Sequence, residues 1–71
     1  MQTIQGTLKS LKIISDKSTN KNKKLVFSID NNIIEFNTNK AIHPKDGDEI
    51  IVAGLQEENN VFTAYSYKNL S

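Results

Sequence analysis

Apolar side chains recur at every second position through much of this chain, and few folds accept that rhythm. From Lys24 to Asp30, Leu25, Phe27 and Ile29 fall on one side and Lys24, Val26, Ser28 and Asp30 on the other. A strand sends alternate residues to opposite faces, whereas a helix would bring the apolar positions back every three or four. The rhythm returns in Ile4, Gly6 and Leu8, in Ile34 and Phe36, and in Ile50 and Val52. Nine Ile, three Val and five Phe or Tyr rings reinforce it, because branched and aromatic side chains favour strands. An all-β chain is expected. Its 71 residues suffice for one domain, residues 1–71, and leave little room for an enclosed pocket. With no cysteine, folding must come from packing alone.

The elements follow from where the alternation starts, shifts and stops. A first strand runs from Thr3 to Ile14, with its phase changing after Ser10 towards Leu11 and Ile13. Such a change signals a bulge or bend, and Gly6 offers a second place to coil. Ser15 to Asn22 contains nothing apolar and is a loop. Lys24 to Asp30 and Ile33 to Asn37 form a hairpin around Asn31-Asn32, a pair that tolerates positive φ. Between Thr38 and Asp46, Pro44 leaves space for at most one helical turn, anchored by Ile42. Asp48 to Leu55 is a fourth strand, Glu57 to Asn60 a polar turn, and Val61 to Lys68 a fifth strand. Two phases compete in that last strand. Ala64 and Ser66 are small enough for a narrow interior with Phe62 filling one end, and this phase turns Tyr65 and Tyr67 outward. The expected core is Ile4, Leu8, Leu25, Phe27, Ile29, Ile34, Phe36, Ile50 and Val52.

Five strands with a long first loop, two hairpins and a ten-residue third connection resemble the OB-fold, a small Greek-key barrel. Gly47 to Gly54, GDEIIVAG, is similar to the Gly-Asp entry into the fourth strand of bacterial OB-fold domains, and Ala64 to Asn69 resembles the fifth strand of small bacterial proteins of this type. An SH3-like barrel is the structural rival. The resemblance implies single-stranded nucleic-acid binding, oligosaccharide binding or plain protein contacts, among which fold alone does not choose.

The charges narrow that range. The net charge is +1, and all nine cations are Lys. Arg supplies the planar fork that reads guanine and phosphate, so its absence argues against sequence-specific readout. Lys17, Lys21, Lys23 and Lys24 cluster at the first loop, where phosphate contacts could form. Turning Phe27 outward would bury Asp30, and turning Phe36 outward would bury Glu35; both rings are therefore core. That leaves Val26, Ser28, Ile33, Glu35 and Asn37 on the outer face, with no ring to stack a base. Glu57 and Glu58 place negative charge in the last turn. A solvated loop that aids solubility is the preferred reading of the lysines.

Chemistry has few candidates. His43 is the sole histidine, and a zinc site asks for three or four ligands. Asp46, Asp48 and Glu49 lack the ligand spacing of a calcium loop, and no nucleophile turn is present. No enzyme activity, cofactor or metal is expected. No segment reaches the ~20 apolar residues of a membrane span, and the N-terminus lacks a basic, apolar leader; a soluble, cytoplasmic protein is expected. Val26, Ile33, Tyr65 and Ile51 would stand exposed, as in an interaction surface. A protein-interaction module, with self-association as one form of it, is the first functional expectation. Weak, sequence-tolerant binding of single-stranded DNA or RNA through Lys17, Lys21, Lys23, Lys24, Tyr65 and Tyr67 is the second.

Overall fold

The structure is a computed structural model that describes residues 1–15 and 22–71. It contains five strands, β1 (Gln2–Ser15), β2 (Lys23–Ile29), β3 (Asn32–Thr38), β4 (Glu49–Glu58) and β5 (Val61–Asn69), closed into a barrel in the order β1-β2-β3-β5-β4. All neighbours are antiparallel except β3 and β5, which run parallel. The result is an all-β, OB-like Greek-key barrel. Among the described residues there is no helix, and so none long and apolar enough to cross a membrane.

β1 serves two neighbours. Gln2 to Thr7 pair with β4 and Leu8 to Ser15 pair with β2, so the strand must coil as it changes partner. It changes between Thr7 and Leu8, just past Gly6, where a side-chain carbon would come within 2.5 Å of the Ile29 Cγ2. The expected bulge lies a few residues on. Ser10, at φ 59°, and Leu11 interrupt the register between Lys9↔Ser28 and Lys12↔Val26. The Asp46 carboxylate accepts the Leu11 N–H at 2.9 Å, and the Gly47 N–H donates to the Leu8 carbonyl at 2.8 Å.

Leu8, Leu25, Phe27, Ile29, Ile34, Ile50 and Val52 are buried as the alternation requires. Ile4 and Phe36 pack against them only partly buried, while Phe62 and Ala64 complete the core.

Three expectations need correction. The β2–β3 turn is Asp30-Asn31, not Asn31-Asn32: Asn32 pairs with Ile29, and the positive φ falls on Asp30, at 56°. Between β3 and β4, where at most one helical turn is expected, none forms; the Thr38 hydroxyl accepts the Lys40 N–H at 3.1 Å. Ile42 is 85% exposed, because without a helix nothing turns it towards the barrel, and Pro44 is the buried residue of this connection. Finally, Tyr67 faces inward.

The last correction has a backbone cause. Ala53 pairs with Ser66 but Gly54 pairs with Ala64, which leaves Tyr65 as an extra residue on β5. Before it, Phe62 and Ala64 point in; after it, the phase is reversed and Tyr67 points in. Both competing phases are therefore realised, one on each side of Tyr65. Gly54 permits this, since a side-chain carbon there would collide with the Thr63 carbonyl oxygen.

Candidate interaction surface

The β3–β5 contact decides where surface groups gather. Its ladder runs only from Ile33↔Val61 to Phe36↔Ala64, after which the two strands part. A cleft of about 540 Å³ occupies the gap, lined by Leu25, Phe36, Tyr67 and Tyr65 and by the connection from Asn39 to His43. Phe36 and Tyr67 meet edge to face in it, centroids 5.4 Å apart, which fixes the Tyr67 ring. Tyr65 is 55% exposed because the bulge ejects it. Ile42 lines the same cleft and is the more exposed of the two.

A second depression, about 670 Å³, lies between Ile14 and Ser15 of β1, Lys23 and Lys24 of β2, and Asn37 to Asn39. It shares the Asn37-Thr38-Asn39 wall with the first. The Lys24 ammonium is already engaged, 3.7 Å from the Glu35 carboxylate across the strand pair. Lys17 and Lys21 lie outside the described residues.

The expected site residues are thus not one cluster. Lys23 and Lys24 flank the second depression, and Tyr65 and Tyr67 line the first. Val26 and Ile33 lie on the outer face of the β2–β3 hairpin, where their partners are Glu35 and Ser28. Ile33 is 44% exposed, Val26 half-buried. No family model, curated protein or solved structure matches this chain. Its surface must be read from its own chemistry.

Three residues of the first cleft, Lys40, Ile42 and His43, are not among the site residues expected from the sequence. Ile42 carried a signal, an isolated branched side chain in a polar run, but the assumed helical turn gave it a buried role. The His43 ring donates from Nδ1 to the Pro44 carbonyl at 2.9 Å, so that nitrogen is occupied by the loop itself.

The acidic residues beside it serve the backbone. Asp46 holds the β1 bulge, and the Asp48 carboxylate accepts the Lys45 N–H and the Asn69 side-chain amide, both at 3.0 Å. These two donors, the Lys45 N–H first, hold the Asp48 carboxyl below its ordinary pKa of 3.8 against an opposing effect of desolvation, and the Lys45 charge adds the least. Among the described residues, no three His, Cys, Asp or Glu side chains converge as metal ligands.

Proposed function

We propose that the chain is a non-enzymatic, OB-type binding module whose partner is a protein. The observation that carries this reading is the pairing of Ile42 and Tyr65, two large side chains 85% and 55% exposed, on a single cleft floored by Phe36 and Tyr67. Exposed apolar groups scattered singly are ordinary; two of them on one concave, partly aromatic surface are what an interface anchor needs. The strand order supports the OB-fold resemblance of the sequence, and the absence of Arg weighs against base readout as the main task.

The test is capture from a lysate of the source organism with the wild-type chain, Tyr65→Ala and Ile42→Asp, alongside light scattering for self-association. Both substitutions sit on exposed side chains, so folding should survive them. Capture of a protein by the wild type and its loss in both variants supports the reading. A monodisperse monomer that retains nothing contradicts it.

Single-stranded nucleic acid is the second reading, favoured by Lys23 and Lys24 lying across the Asn37-Thr38-Asn39 wall from Tyr65. With Lys17 and Lys21 added, affinity should fall with salt at a log-log slope near −0.7 per contact, roughly −3 in all. The Lys24–Glu35 pair and the inward Tyr67 ring both weaken this reading, since each removes a contact from it. No anisotropy change with labelled strands at low salt disposes of it.

A further inference from the structure

Where β3 and β5 part, each keeps a partner on its far side only. Asn37 and Thr38 remain paired with Lys24 and Lys23 of β2, and Ser66 to Asn69 remain paired with Ala53 to Ile50 of β4. Their near edges turn to the cleft beyond the last rung, Phe36↔Ala64. An open strand edge offers a row of backbone donors and acceptors to any extended chain laid beside it. The floor next to that edge is apolar, Phe36 against Tyr67, and Ile42 and Tyr65 line the same space. Such a place accepts alternate side chains of a strand in pockets while the backbone pairs. The ionisable groups lining it besides the tyrosines are Lys40 and His43, with no carboxylate among the lining residues. A carboxylate on the incoming chain therefore meets the Lys40 ammonium and no like charge among the lining residues.

We propose that the β3–β5 cleft holds an extended peptide added as a strand along Ser66–Asn69 of β5, with apolar side chains at alternate positions and an acidic residue beside Lys40. This mode rests on the protein-interaction reading and specifies its partner. Ser66–Asn69 is the edge chosen because it lies past the Tyr65 bulge, where the register with β4 is unbroken. A bulged edge pairs poorly; a regular one does not.

The experiment is selection of a displayed library of short random peptides against the full chain, followed by three measurements on the selected sequences. Alternating apolar positions with an enriched Asp or Glu are expected. N-methylation at alternate peptide residues should abolish binding in one phase and leave it in the other, because only every second peptide N–H faces the receiving edge. Lys40→Glu, on an exposed loop, should weaken binding about fivefold. Amide exchange should slow at Ser66 to Asn69 on binding.

Peptides without acidic preference, or tolerant of N-methylation in both phases, overturn the proposal. Peptides whose footprint falls on Val26 and Ile33 overturn it too, yet leave a protein-interaction module standing. If no peptide is selected while a lysate protein is still captured in a Tyr65-dependent way, strand addition alone fails. If neither peptide nor protein is retained, both readings fail together.

Discussion

Phe27 stands opposite Ile34 at the centre of the β2–β3 pair and is 3% exposed. The alternation of β2 fixes that orientation, because turning the ring outward would expose Leu25 and Ile29 and bury Lys24 and Ser28 in their place. Truncating it to Ala should cost about 3 to 5 kcal/mol, comparable with the whole stability of a domain this size. Phe27→Ala should therefore be largely unfolded by circular dichroism at room temperature, and a wild-type melting curve would contradict the packing described. The two tyrosines give a finer contrast, since they are nearly adjacent in sequence and opposite in environment. Tyr67→Ala loses the ring contact with Phe36 and part of the core, and should cost about 1 to 2 kcal/mol. Tyr65→Ala removes an exposed ring and should stay within about 0.5 kcal/mol of wild type in a urea titration, while reducing partner capture.

Elements were legible wherever the alternation runs unbroken, and became ambiguous at each extra residue. β2 and β3 pair without a slip, and their inward residues match the apolar positions of the sequence. β5 does not, because a bulge is a backbone event that inverts every later side chain while leaving the composition unchanged. Gly54, which accommodates the close approach of Thr63, is the one local sign, and it sits on the neighbouring strand rather than on the strand that bulges. The hairpin turn shows the same limit on a smaller scale. Asp30, Asn31 and Asn32 all tolerate positive φ, so sequence could place the turn only to within a residue; the pairing Ile29↔Asn32 decides it. Glycine adopts positive φ freely, so Asp30→Gly should raise stability by about 0.5 kcal/mol after the entropy of the unfolded chain is counted. Asn31→Gly relieves no such conformation and should lower stability by about 0.5 to 1 kcal/mol. Opposite signs for these neighbours, read from urea midpoints, identify the turn; equal signs would not fit it.

Over the molecule as a whole, the exposure of Ile42 is what the pattern of polar and apolar residues could not foretell. Ile42 is the expected anchor of the single helical turn that Pro44 leaves room for; with no such turn formed, it becomes the most exposed large apolar side chain of the cleft proposed to bind. The barrel is fastened near this connection by short polar links. Glu49 donates its N–H to the Ser71 hydroxyl at 2.7 Å and accepts the Leu70 N–H at 2.7 Å. Asp48 joins the Lys45 turn to Asn69 at the end of β5. Because the backbone donor at Lys45, then the Asn69 amide, favour its charged form, Asp48 has a lower pKa folded than unfolded. The linked stability is fully present above the ordinary value of 3.8 and is lost as pH falls through the lower, folded value. Asp48→Asn keeps a side-chain carbonyl for the Lys45 N–H but has no proton to gain. The variant should melt below wild type at neutral pH by a constant margin, and that margin should close in strongly acidic buffer, where the wild-type carboxyl becomes neutral as well. A margin that stays constant down to the most acidic buffer in which the fold persists would show that Asp48 contributes nothing through its charge.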